Sequence, residues 1–327
     1  MNRRRFLQQT SCSAAGIALG GAGFANLRAA EPAKVGETKP KASPMQPIVD
    51  THVHLWDLSK FKLPWLKPEM PFNRSFLVAD YLSATAGLNV AKGVYMEVDV
   101  EPSQQPAEAQ FVIDLCQSGK SPVVAGVISG RPASPGFAKY IRAYKDSPYI
   151  KGVRQVLHNP GTPRGFCLEP AFIAGVRLLG QLRMRFDLCL RADELLDGAK
   201  LIDACPDTRF VLDHCGNADV QAKDRSVWQR DIEALAKRRN VVGKISGIVA
   251  GAPKGWTPDD LAPVVNHTLD VFGPDRVMFA GDWPVCTMAA TYRQWVEALK
   301  TIVANRSAEQ RQKLFHDNAV RFYELTS

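Results

Sequence analysis

The 327-residue sequence is short of several signatures that would fix a function at once. No Gly-x-Gly-x-x-Gly turn and no Gly-x4-Gly-Lys-Ser/Thr loop follows a β-rich run, so neither a dinucleotide fold nor a P-loop is indicated. None of the seven cysteines forms a Cys-x-x-Cys pair, and their scattered spacing argues against a disulfide framework in favour of buried thiols. The longest apolar stretch, Ala14 to Phe24, is too short for a spanning helix, which needs about 20 residues. The mild basic excess left downstream of the N-terminus is a weak argument for nucleic acid, so no nucleic-acid partner is expected. With 46% hydrophobic and 23% charged residues, the chain is neither disordered nor a multi-span membrane protein.

What is present begins with an address. Arg3, Arg4 and Arg5, followed by Phe6-Leu7-Gln8, precede an Ala/Gly-rich apolar run and then Ala29-Ala30. This pattern resembles a twin-arginine export signal over 1–30, processed after Ala25 or Ala30, and predicts a periplasmic or otherwise extracytoplasmic product. The segment also carries Arg28 and no acid. Without its four arginines, 37 basic residues face 33 acidic ones, a net charge of +4 instead of +8. Residues 31–47, with their Pro, Lys and Glu, read as a linker. No lipidation context surrounds Cys12, so no membrane association is expected once the signal is removed.

From Ile48 onward, short runs rich in Val, Ile, Leu and Phe alternate with amphipathic stretches. Strands are predicted at Ile48–His54, Gly93–Val98, Val123–Ser129, Gly152–Leu157, Phe186–Arg191, Phe210–His214, Val241–Ser246 and Arg276–Asp282. Helical periodicity covers Ala107–Gln117, Ala171–Leu182, Asp193–Ala204, Ser226–Arg238, Asp259–Phe272 and Thr291–Ala304. About eight strands, each followed by a helix, predict a single α/β domain over 48–327, a (β/α)8 TIM-type barrel. Such barrels carry their sites at the C-terminal ends of the strands, where this sequence places its unusual residues.

Strand one reads Asp50-Thr51-His52-Val53-His54, and a period of two would put Asp50, His52 and His54 on one face. Two imidazoles at a strand end suit a divalent cation. Strand six brings His214, and strand eight Asp282, which closure of a barrel would carry beside strand one; His158, after strand four and before the turn-like Asn159-Pro160-Gly161, is a candidate substrate contact. Glu97, in Tyr95-Met96-Glu97-Val98-Asp99, is a candidate oxygen ligand or the partner of a cation. Arg154, Arg191 and Lys244 lie on strands and either read an anionic or carbonyl substrate or form internal pairs with Asp187, Asp213 or Glu97. Trp56, Trp65 and Trp283 could wall a flat ring or cover loops. His267 and His316 sit on helical patterns as surface or packing residues.

His52-Val53-His54-Leu55-Trp56-Asp57, Pro64-Trp65-Leu66, Leu212-Asp213-His214-Cys215-Gly216, Lys244-Ile245-Ser246-Gly247 and Gly281-Asp282-Trp283-Pro284 together resemble the amidohydrolase-2 branch of the amidohydrolase superfamily. Within it the chain is similar to sugar-lactone and pyrone-dicarboxylate lactonases. The resemblance implies a hydrolase opening a lactone, with His52, His54 and Asp282 as ligands of one zinc or manganese ion. It also implies His214 as the strand-six catalytic histidine and Asp282 as the base that takes a proton from water. Two departures stand out. Arg154 to His158 replace the carboxylated lysine of dinuclear members, and Leu188 to Arg191 lack the histidine of mononuclear decarboxylases. Lactonase relatives include metal-dependent and metal-independent enzymes, so both remain open. The alternatives are a metal-dependent decarboxylase of an aromatic acid and an exported, non-catalytic ligand-binding barrel. The expected partner is a small molecule; oligomeric state has no signal in the sequence.

Overall fold

The computed structural model describes residues 46–325. The predicted export segment, Cys12 and all of the linker except Gln46 and Pro47 lie outside the described residues. Eight strands are formed: β1 (Ile48–Val53), β2 (Val90–Met96), β3 (Val123–Ser129), β4 (Ile150–Val156), β5 (Arg185–Cys189), β6 (Arg209–Leu212), β7 (Val241–Ile245) and β8 (Val277–Phe279). They pair in parallel and in chain order. Closure joins the last strand to the first. Val53 bridges Trp283, the Asp282 amide donates to the His52 carbonyl at 2.9 Å, and the His54 amide donates to the Trp283 carbonyl at 2.8 Å. This is the expected (β/α)8 barrel.

The strands are short and rich in Val, Ile, Phe and Leu because each is covered on both faces. Inside, Val49, Val94, Val127, Val211 and Met278 pack with Tyr323 and Leu325, so the C-terminal segment closes the N-terminal end of the barrel. Outside, helices such as Gln105–Ser118, Pro170–Gln181 and Pro258–Phe272 lay apolar faces on the sheet. All six described cysteines are free thiols and five are buried, as their spacing suggested. No described helix is long and apolar enough to cross a membrane.

Two sequence expectations fail locally. In β1 the register shifts between Asp50 and Val53, so simple alternation breaks. Asp50 turns to the outer helices, accepting from Tyr81 Oη at 2.9 Å, Tyr292 Oη at 2.8 Å and the Gly281 amide at 2.7 Å, away from the histidines it was expected to join. Strands β6 and β8 also stop earlier than their apolar runs suggest, at Leu212 and Phe279; Asp213 is still extended, and the chain turns left-handed at His214 and at Asp282.

Candidate active site

The C-terminal end of the barrel gathers three histidines and one carboxylate. His52 Nε2 lies 3.1 Å from His54 Nε2, and Asp282 Oδ1 lies 3.5 Å from the first and 3.4 Å from the second. His54 Nδ1 stands 3.1 Å from the Met96 carbonyl, which can only accept, so Nδ1 carries the proton and Nε2 presents a lone pair. Ligands about 2.1 Å from a tetrahedral zinc are separated by about 3.4 Å, so this triangle matches the edge of such a shell. His214 Nδ1 is anchored to Ser246 Oγ at 2.9 Å, and the ligand atoms of His52, His214 and Asp282 all lie within 4.8 Å of one another. The donor set fits one divalent cation. Burial holds His52 and His214 below the ordinary imidazole range, favouring the neutral form that ligates. Burial alone would raise Asp282, but His214, His54 and His52 outweigh it and bring the carboxyl down to about 2.

The backbone is strained where these groups are presented. Asp282 has φ 52°, and His214, Cys215, Gly216 and Asn217 form a left-handed turn with φ 55°, 52°, 68° and 54°. Left-handed geometry costs a non-glycine residue about 1–2 kcal/mol. Asp99, after β2, adopts φ 50°. Residues held in this region cluster at functional sites, where surrounding structure over-determines them.

Beneath and beside the histidines runs a belt of buried charge. Arg154 donates from Nε to Glu97 Oε1 at 2.6 Å and from Nη2 to the Glu97 carbonyl at 2.9 Å. Its Nη1 lies 3.2 Å from His52 Nε2 and 3.5 Å from Asp213 Oδ2. Lys244 Nζ pairs with Asp187 Oδ2 at 2.6 Å and Asp213 Oδ1 at 3.1 Å, and approaches His52 Nδ1 at 3.5 Å. The internal-pair reading of these cations is therefore what the structure contains. Glu97 does not join the ligand triangle: its second oxygen accepts from Ser129 Oγ at 2.7 Å and the Asp99 amide at 2.6 Å, leaving both oxygens engaged. Burial opposes ionisation of Glu97, but Arg154 lowers its carboxyl below the usual range.

Above the cluster opens a cavity of about 290 Å³. Trp56, Trp65, Val98, Val156 and Val285 supply apolar walls; Asp99, His158, Asn159, Asn217 and Cys189 add polar edges beside His54, His214 and Asp282. Trp56 is fixed by donation from Nε1 to the Arg74 carbonyl at 2.7 Å and by edge packing on Trp65. Trp283 packs on Phe76 and Tyr81 outside the lining. His158 stands exposed at the rim; its packed inner side and the charges of His214 and Arg154 hold it below the ordinary imidazole value. Arg191 is turned away from the cavity, bonded to Glu194 Oε2 at 2.6 Å, the Asn159 carbonyl at 2.6 Å and the Thr162 carbonyl at 2.7 Å. Lys244 likewise lies below the lining, fully buried. Asp99, Asn159, Asn217 and Cys189 were not singled out as site residues by sequence; their only signal was position at a strand's C-terminal end or in the segment that follows it.

Residues 49–325 match the amidohydrolase family model Amidohydro_2. The chain belongs to the amidohydrolase family. Among proteins this amidohydrolase resembles, the L-fucono-1,5-lactonase of Burkholderia multivorans is 28% identical over 290 residues, covering 85% of this chain and 96% of that protein. The 4-sulfomuconolactone hydrolase of Rhizobium radiobacter is 25% identical over 243 residues, 72% of this chain and 75% of that one. A crystal structure of an amidohydrolase from Burkholderia multivorans with bound zinc superposes with a TM-score of 0.76 at 25% identity, covering 86% of this chain and all of that chain. The family and this neighbour agree with a metal-capable donor set in the barrel mouth.

Proposed function

We propose that this amidohydrolase opens the ring of an uncharged, hydroxylated lactone of the sugar-lactone type. The observation that carries the reading is the pairing of the His52–His54–His214–Asp282 cluster with a cavity whose one lining cation among the described residues, Arg154, is already neutralised by Glu97 at 2.6 Å. A carboxylated or sulfonated lactone would enter without a free cation to hold its second charge. The lactonases among the relatives support the reaction class.

In this reading a water oxygen attacks the lactone carbonyl carbon while its proton passes to Asp282. The carbonyl pair moves onto oxygen, which the cavity-lining His214 and Arg154 would stabilise. Collapse breaks the ring C–O bond, and Asp282 returns its proton to the departing alkoxide, giving an open-chain hydroxy acid. A divalent ion bound by His52, His54 and Asp282, zinc or manganese by the nature of the donors, would add Lewis-acid polarisation.

The test is hydrolysis of a panel of neutral lactones, carboxylated lactones and aromatic carboxylic acids, before and after chelation, with metal content measured in the same preparation. Neutral lactones are expected to be opened, and Asp282→Asn, with an unchanged melting curve, to lose about 10³-fold in kcat. Full activity in the Asn variant overturns the assignment of the base. Retained activity after chelation removes the metal from the proposal and leaves the oxyanion to Arg154 and His214.

The arginine triplet, apolar run and alanine pairs at the N-terminus support a second proposal, that the enzyme acts outside the cytoplasm after removal of residues up to Ala25 or Ala30.

A further inference from the structure

We propose that Asp99 is the specificity-determining residue of this site, accepting hydrogen bonds from substrate hydroxyls and keeping anionic lactones out. The inference rests on the lactonase reading above and goes beyond it by naming the group that chooses the substrate.

Asp99 follows β2 and lines the cavity together with Asn159, on the same mouth as His214 and Asp282. Its positive φ is shared by few non-glycine residues of the described chain, and three of those, His214, Asn217 and Asp282, line the same cavity. A backbone this strained persists where packing holds it and where the side chain's direction matters.

The carboxylate is held from behind. Its Oδ1 accepts from Arg131, and its Oδ2 accepts from Asn159 Nδ2 at 3.3 Å. A carboxylate has about four acceptor sites, so two remain for the cavity after these bonds. Its side chain is about a fifth exposed, enough for a ligand to reach it. Asp99 also pairs with Arg131, whose charge it shares with Glu97, so this cation too is balanced within the protein. The arrangement therefore offers acceptors to hydroxyl groups and repulsion to a second carboxylate or sulfonate.

Asp99→Asn tests this directly. Asparagine tolerates the left-handed region and preserves the side-chain shape, so the fold is expected to survive, as a melting curve will show. The change removes the negative charge, turns one acceptor into a donor and releases Arg131. Steady-state kinetics are compared for wild type and variant on a neutral polyhydroxy lactone, a deoxy analogue and a carboxylated lactone of the same ring size. For the variant, kcat/KM on the neutral polyhydroxy lactone should fall about 10- to 100-fold, the deoxy analogue should lose several-fold less, and the carboxylated lactone should gain. An equal loss on all three, or no loss on the hydroxylated substrate, overturns the role of Asp99 while leaving the lactonase reading intact. If the wild type opens none of the three, the lactonase reading itself fails and the specificity role falls with it. Should Asp99→Asn melt early, Asp99→Glu, which keeps the charge and moves it by one methylene, must retain the preference against the carboxylated lactone; loss of that preference overturns the proposal.

Discussion

Lys244 shows what a single residue must satisfy in this barrel. Its ammonium is fully buried between Asp187 and Asp213, at 2.6 and 3.1 Å, and reaches toward His52. Removing one partner of a buried pair leaves the others uncompensated and costs about 3–5 kcal/mol. Lys244→Met, close in volume, should therefore lower unfolding free energy by about that amount in denaturant melts. The loss has a pH sign. Burial pushes Asp187 up to about 7, with Lys244 opposing and Asp213 adding to the rise. A folded pKa above the unfolded one, about 3.9, means the contribution of Asp187 is complete below that value and declines as pH rises toward about 7. Without Lys244 the folded value climbs further, so the penalty of the substitution should be larger at pH 9 than at pH 5; an equal penalty at both would contradict the pairing. At this scale the sequence was legible where chemistry belongs to one side chain. His52, His54, His214 and Asp282 announce themselves by type and by position at strand ends. Glu97, Arg154 and Lys244 do not, because whether a buried ion reads substrate or balances a neighbour depends on which strands stand opposite, and that is a property of register.

Strands were legible as apolar runs, and their ends were not. The run Phe210 to His214 looks extended throughout, yet β6 stops at Leu212, Asp213 stays extended, and from His214 to Asn217 the chain winds left-handed. The run to Asp282 looks extended as well, yet β8 is three residues long, and the ladder is continued by backbone bonds from Asp282 and His54 after the turn. Hydrophobic patterning reports burial, and these segments are buried in either conformation, so the pattern cannot see the change of hand. A neighbouring glycine is part of the device. Gly247, after β7, has φ 70°, and a Cβ there would lie 2.5 Å from Cγ and Nδ1 of the His214 ring. Gly247→Ala should add left-handed strain of about 1–2 kcal/mol and push the imidazole off Ser246. Gly255 separates the two effects, since it has φ 77° and a methyl group added there would meet nothing within 4 Å. Gly255→Ala should lower the melting temperature with kcat unchanged, whereas Gly247→Ala should lower both, with at least a tenfold loss in kcat. Equal kcat in the two variants would show that the seat of His214 is not set by this contact.

Across the whole molecule, the proposed export and the thiol chemistry constrain each other. An extracytoplasmic compartment is oxidising, and six cysteines in the barrel would be exposed to it. Disulfide formation and exchange proceed through the thiolate. Burial pushes Cys116, Cys167 and Cys215 up to about 12 and Cys205 up to about 11, and raises Cys189 and Cys286 as well, so all six stay as thiols at neutral pH. None is paired with another among the described residues. Twin-arginine transport would carry the barrel across already folded, with its thiols shielded before they meet oxidant. Two measurements then belong together. Fractionation should find the enzyme outside the cytoplasm with an N-terminus after Ala25 or Ala30, and replacement of Arg3, Arg4 and Arg5 by Lys should hold it inside at full length. The exported protein should titrate as six free thiols after denaturation and close to none before. Cytoplasmic retention of the wild type would remove the export proposal and leave the barrel chemistry untouched, whereas an exported protein with paired cysteines would mean that the chain crosses before burial has closed over its thiols.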